Sequence, residues 1–355
     1  MIELRSDTKT MPSPAMREAM AQATVGDEQA REDPTVIALE EAAAVFVGQE
    51  EAVYLPTATM ANAIALVLLG ERGSVLLAEE SAHVLVYELG GAAMFAGLLS
   101  HPLPGSAGRL TAEQIRSSVG ASDPLHIPRA SILAIENSHN SAGGTVWPYE
   151  ELEQVVAVAR ELDLRVHLDG ARLANAAIAI GRSAAEIGAL FDTVTLCLSK
   201  GLGCPLGAIL AGSRSLMARA RVEKHRFGGA MRQAGIVAAA GLYALEHNVE
   251  RLAEDHARAR RLAEGWKAAG LAVDLARVQT NFVQIDTAEC GLDTPRALAR
   301  LAAEGVLLSA TVRPGVIRAL THLDVDDADI DQAIEIVPRA LRAPEPDGEH
   351  PPAGA

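Results

Sequence analysis

Short, mostly apolar runs alternate along this chain with longer stretches whose apolar residues recur at helical spacing. Residues 52–55, 74–78, 131–135, 164–168 and 194–198 have the length and β-branched content of strands, and 207–211 resumes as another after a glycine-rich turn. Between them, 60–69, 110–119 and 146–162 read as helices, while Asp33-Pro34-Thr35 opens a packing helix carrying Val36, Leu39, Ala43 and Phe46 on one face. Strand and helix in regular alternation from 52 to 212 predict an α/β fold with a mostly parallel central sheet covered by helices on both faces. Basic helical residues 213–226 follow, then a tight turn at 228–232 into an Ala-rich helix.

The pattern changes beyond His247. A charged helix to 269, a strand pair around 273–285, a helix over 295–303, strands near 306–311 and 316–320 and a last helix over 328–341 predict a smaller α+β domain. We therefore expect a large domain over 1–246, including an N-terminal polar segment, a small C-terminal domain over 247–342, and a tail, 343–355. That tail holds four prolines and no large apolar residue, the composition of a disordered segment.

Composition narrows the function. The chain of 355 residues is 49% hydrophobic and 22% charged, enough for a large core, and its formal net charge of -15 excludes a nucleic-acid or anionic-membrane surface. A small-molecule partner is expected. Residues 1–10 are already polar and no apolar run reaches the ~18 residues of a membrane span, so the expected location is the cytoplasm. Cys197, Cys204 and Cys290 are odd in number and form no C-x-x-C pair, which supports neither a disulfide framework nor a zinc site.

The chemistry lies at strand ends. Lys200 sits where the 194–198 run meets Gly201, Gly203 and Pro205, and a lysine beside core strands has a covalent use: a desolvated amine attacks a carbonyl and holds it as a Schiff base. Asp169 follows the 164–168 run in the same way. A lysine and an aspartate at the carboxyl ends of strands in one sheet fit pyridoxal phosphate, the aspartate pairing with the ring nitrogen. Thr57-Ala58-Thr59, between a strand and a helix, offers free amides and a helix dipole to a phosphate. His83, just past another strand, can stack on a flat ring or handle protons, and residues 136–140 end a further strand on the side where ligands bind. No P-loop, H-E-x-x-H helix or G-x-S-x-G elbow occurs, and 201–207 misses the dinucleotide fingerprint by one position.

With these residues in place, the segments LRSDT (4–8), PTATMAN (56–62), ENSHN (136–140), HLDGARLANA (167–176), SKGLGCPLG (199–207), GGAMRQAG (228–235) and RALTHLDV (318–325) resemble, in order, the low-specificity L-threonine aldolases. The resemblance covers nearly the whole chain except the tail. It implies the aspartate-aminotransferase-like fold, type I of the pyridoxal-phosphate enzymes, and cleavage of L-threonine or L-allo-threonine to glycine and acetaldehyde. It also implies roles. Lys200 forms the Schiff base, Asp169 pairs with the pyridinium, residues 57–59 hold the phosphate, and His83 lies over the ring. Ser6, Arg172 and Arg318 hold the substrate carboxylate, His126 is a second active-site histidine, and Arg232 contacts the phosphate or a neighbouring subunit. A homotetramer with shared active sites is implied as well. The rival enzyme reading is a β-eliminating lyase or aminotransferase on this fold, and a rival of another class is an idle cofactor-binding regulator. Three positions depart from the family pattern: Ala30 stands where an aromatic residue is common, and Ala58 and Ala230 where glycine is usual. Ala58 keeps its N–H for a phosphate as long as its φ is negative.

Overall fold

The computed structural model describes residues 1–119 and 126–342. Among the described residues twelve strands form three sheets: β1 (Ile2–Glu3), β2 (Glu51–Leu55), β3 (Val75–Glu79), β4 (Leu99–Leu103), β5 (Ala130–Glu136), β6 (Arg165–Gly170), β7 (Thr193–Cys197), β8 (Ala208–Gly212), β9 (Phe282–Asp286), β10 (Val306–Leu307), β11 (Ser309–Ala310) and β12 (Val316–Leu320). The large sheet has the order β2-β8-β7-β6-β5-β3-β4. Only β8 runs against its neighbours, so the sheet is mostly parallel.

The apolar runs are buried on both faces because helices pack on each side, as a parallel sheet requires. The helix Tyr149–Glu161 buries Leu152, Val155, Val156 and Ala159, and the helix Pro34–Phe46 buries Val36, Leu39 and Ala43. Asp33 caps the latter by accepting hydrogen bonds from the amides of Thr35 and Val36, with Pro34 at the first helical position, where its missing N–H costs nothing.

A separate apolar cluster unites residues 259–341 of the small α+β unit, around the antiparallel sheet β11-β12-β9. Ile2 and Leu4 belong to this cluster, and β1 pairs in parallel with β10. The amino-terminal residues, assigned from the sequence to the large domain, thus pack with the small one. Among the other expectations, the pair of strands around 273–285 is one strand, β9, preceded by a short 3-10 turn at Leu275–Arg277 that Asp274 caps. The predicted tail at 343–355 and residues 120–125 lie outside the described residues.

Candidate active site

β2, β3, β5, β6 and β7 point the same way, and at or just beyond their carboxyl ends stand Thr57, Glu79, Glu136, Asp169 and Lys200. This edge is where ligands bind in open α/β sheets. Thr57 caps the helix Ala58–Leu69 through a 3.1 Å hydrogen bond from the Met60 amide. The helix itself offers no partner to the amides of Ala58 and Thr59. Ala58 is its first residue and has a negative φ, so the departure from glycine leaves its N–H available.

Lys200 is half-buried in the turn between β7 and β8 rather than fully enclosed. The turn depends on glycine at Gly207, where φ is +114° and a Cβ would stand 2.6 Å from the Tyr54 ring. The Gly207 amide donates to the Pro56 carbonyl at 3.1 Å, which ties the lysine turn to the phosphate-type loop.

Asp169 is 2% exposed and sits in a hydrogen-bonded chain. Its Oδ1 accepts from the Ala171 amide at 3.1 Å and its Oδ2 from Asn62 Nδ2 at 2.8 Å. The same Asn62 nitrogen donates to Glu88 Oε1 at 2.8 Å, while Asn62 Oδ1 lies 3.1 Å from His167 Nε2. Both donors of Asn62 are thus used, so its oxygen must accept, the proton of His167 is on Nε2, and Nδ1 accepts from Thr193 Oγ1 at 2.8 Å. Burial holds His167 neutral, lowering its pKa to about 4.

Glu88 also meets His83, 3.0 Å from Nδ1, and the polar atoms of His83, Glu88 and Asp169 lie within 4.8 Å of one another. Burial and the Asp169 charge raise the Glu88 pKa, against the hydrogen bonds from His83 and Asn62. Burial disfavours charge on His83, yet Glu88, Asp169 and Glu136 outweigh it and raise the imidazole pKa. One face of the ring is covered by Tyr87, with centroids 5.2 Å apart.

The small unit supplies the far wall. Arg318 on β12 donates from Nη1 to Asn140 Oδ1 at 3.0 Å and from Nε to Ser309 Oγ at 3.2 Å. Arg172 approaches the same Asn140 oxygen at 3.5 Å, and both guanidiniums lie over the Phe282 ring, at 4.8 and 5.6 Å from its centroid. The rest of the Arg172 fork is engaged by Asp7, at 2.6 Å from Nε and 2.7 Å from Nη2. Burial alone would raise the Asp7 pKa, but Arg172, with Lys200 and Asn281, lowers it to about 2.

The structure therefore brings together Lys200, Asp169, His83, Arg172 and Arg318. Ser6 stands beside Asp7, where its hydroxyl accepts from the Thr8 amide at 3.2 Å. His126 does not join them within the chain. It is exposed and precedes the amino end of β5, at the opposite edge of the sheet. Arg232 is exposed and pairs with Asp27 at 2.9 Å, on a segment where a Cβ at Gly229 would stand 2.4 Å from the sulfur of Met60, beside the phosphate-type loop. Ala30 is exposed in a turn, and its neighbour Arg31 has φ +61° and pairs with the buried Glu40 at 2.6 Å. Asp7, Asn62, Glu88 and Asn140 carry much of the geometry and were not singled out as site residues from the sequence. The signal for Asp7, Asn62 and Asn140 was their place in LRSDT, PTATMAN and ENSHN, while Glu88 lies outside every such segment and carried none.

The chain matches the family described as beta-eliminating lyase over residues 3–289. It is 42% identical over 327 residues to the low specificity L-threonine aldolase of Escherichia coli (strain K12), covering 92% of this chain and 95% of that protein. A low-specificity L-threonine aldolase of Arabidopsis thaliana is 34% identical over 346 residues, 96% of each chain. Among solved structures, a threonine aldolase of Leishmania major shares the fold with a TM-score of 0.82 at 19% identity, covering 96% of this chain and 100% of that one.

Proposed function

The chain belongs to the low-specificity L-threonine aldolases of the β-eliminating lyase family, and from that premise we propose that it cleaves the Cα–Cβ bond of L-threonine, L-allo-threonine and related β-hydroxy-α-amino acids, releasing glycine and an aldehyde. The observation that carries this reading is the two-guanidinium wall: Arg172 and Arg318 converge on one oxygen, that of Asn140, which follows β5 at the same sheet edge that carries Asp169. The geometry suits an α-carboxylate.

The cofactor is pyridoxal phosphate, and the residues present fit it. Thr57, Ala58 and Thr59 offer a helix start to a phosphate, Asp169 offers a buried carboxylate to a protonated ring nitrogen, His83 offers a ring face, and Lys200 offers an amine. When bound, it supplies an electron sink to the substrate α-carbon.

The chain's own residues do the rest. Arg318 takes the substrate carboxylate as the Asn140 oxygen gives way, and Arg172 keeps Asp7 ionised behind it. Asn62 and the Ala171 amide hold the Asp169 carboxylate in one orientation. Glu88 engages His83 Nδ1 and so leaves Nε2 to accept the β-hydroxyl proton, directly or through a water. Such a transfer is worth roughly a factor of 10²–10⁴. His83 serves as base because it lies within the chain's own site, whereas His126 reaches a site only in another subunit.

We assign the assembly to a homotetramer, a dimer of dimers in which His126 and Arg232 complete neighbouring sites. We place it in the cytoplasm, where the free thiols Cys197, Cys204 and Cys290 stay reduced. No helix among the described residues is long and apolar enough to cross a membrane. The test is a panel of threonine, allo-threonine, phenylserine and serine, assayed for glycine plus aldehyde. Keto-acid formation in place of glycine would transfer the chain to the lyase or aminotransferase reading, and static light scattering of the holoenzyme would decide between tetramer and dimer.

A further inference from the structure

A buried cluster at the ends of β3 and β5 holds neither substrate nor cofactor in the chemistry just described. Glu79 ends β3, Glu136 ends β5, and His139 lies against both; their exposures are 7%, 6% and 1%. His139 Nε2 is 3.1 Å from Glu79 Oε2 and 3.7 Å from Glu136 Oε2. Two carboxylates are costly to bury unless their oxygens are bonded. Glu79 Oε2 accepts from both the Ser81 amide and the Ser81 hydroxyl, each at 2.7 Å.

A turn of backbone seals the cluster. A Cβ at Gly105 would lie 2.4 Å from Glu79 Cγ and one at Gly108 would lie 2.4 Å from His139 Cγ, so glycine at both positions lets the chain pass directly over the charged groups. Thr145 Oγ1 pins that turn by donating to the Ala107 carbonyl at 2.8 Å.

Glu136 is the member that faces the cleft. Its Oε2 accepts from the His83 amide at 2.8 Å and its Oε1 from the Asn140 amide at 2.7 Å. These two residues belong to different walls: His83 pairs with Glu88, and Asn140 gathers Arg318 and Arg172. We propose that Glu136 is a positioning residue that sets both walls of the substrate cleft from a single carboxylate, with His139 and Glu79 holding it from below.

The inference rests on reading Arg318 and Asn140 as the carboxylate end of the site. It has consequences of its own. Losing either bond to Glu136 must loosen the wall it holds, at His83 or at Asn140, whereas a purely structural residue would lower the folded fraction without altering substrate affinity.

The experiment is Glu136→Gln in the holoenzyme, read by hydrogen exchange and steady-state kinetics. A glutamine presents one oxygen and one NH₂, so one of the two amides faces a donor. The expected result is at least tenfold faster exchange in peptides around 83 or 140, with helix Gly235–His247 unchanged, and an amino-acid KM raised about tenfold alongside a lower kcat. Unchanged exchange at both peptides with unchanged KM overturns the proposal. Should Glu136→Gln fail to fold, Glu136→Asp, which keeps the charge but is one methylene too short to reach both amides, is measured in the same way with the same two outcomes. Should the wild-type enzyme release no glycine from any β-hydroxy amino acid, the proposed function fails, while the exchange at 83 and 140 still decides the role of Glu136.

Discussion

Asp7 and Arg172, 165 positions apart in the chain, are joined by two side-chain hydrogen bonds of 2.6 and 2.7 Å, and both are buried. The guanidinium that sequence reasoning assigned to the substrate is therefore already engaged from within the chain, and Arg318 is the more available of the two. The pair also connects the amino-terminal segment, packed with the small unit, to the residue that follows β6.

Stability should depend on that pair. Removing one partner of a buried ion pair costs on the order of 3–5 kcal/mol because the other charge is left alone. Asp7→Ala is expected to lower the unfolding free energy by that amount, measured by urea denaturation of the holoenzyme.

The same pair predicts an acid limit. The Asp7 pKa is depressed from its ordinary 3.8 to about 2, so its contribution, about 2 kcal/mol, is fully present above roughly pH 4 and is lost as pH falls toward 2. Denaturation midpoints at pH 5 and pH 2.5 should show this loss in the wild type and a smaller one in Asp7→Asn.

Substrate binding should depend on Arg318. Losing a charge-assisted bond is worth about 1.5–3 kcal/mol, so Arg318→Ala should raise the amino-acid KM by roughly ten- to a hundredfold. Steady-state kinetics with an unchanged KM would remove Arg318 from the site.

Lys200→Ala should abolish both cleavage and the visible absorbance of covalently held cofactor, because no other amine is assigned to that place at the sheet edge. Retention of full activity would end the covalent account.

The pH profile should report the contact between His83 and Glu88. Burial lowers the His83 pKa, but Glu88, Asp169 and Glu136 together raise it above the ordinary histidine value. A base must be deprotonated, so the acid limb of kcat/KM should lie above the range of a free imidazole. In Glu88→Gln one of the raising carboxylates is gone, and the limb should move to lower pH. A limb that stays in place would exclude His83 as the titrating base.

Much of this was legible in the sequence for a simple reason. Lys200 and Asp169 each follow an apolar run, and a strand end in a parallel sheet fixes where the next side chain goes. β4 escaped because Leu99–Leu103 is an edge strand with four of its five residues exposed and a proline at position 102, which an edge tolerates and a pattern search rejects. β1 escaped because two residues make no period. The partnerships Asp7–Arg172, Asn62–Asp169 and Glu136–His83 were invisible because they join residues 53 to 165 positions apart, where periodicity carries no information. Ala58 was legible in another way, as a departure whose harmlessness depended on φ alone.

The division of labour between the two units sets an order during translation. Thr57, His83, Asp169 and Lys200 have all left the ribosome before the strand bearing Arg318 is made, some 120 residues later, a delay on the order of ten seconds at ordinary elongation rates. A nascent chain can thus capture its vitamin-derived prosthetic group before it has any grip on the amino acid it will consume.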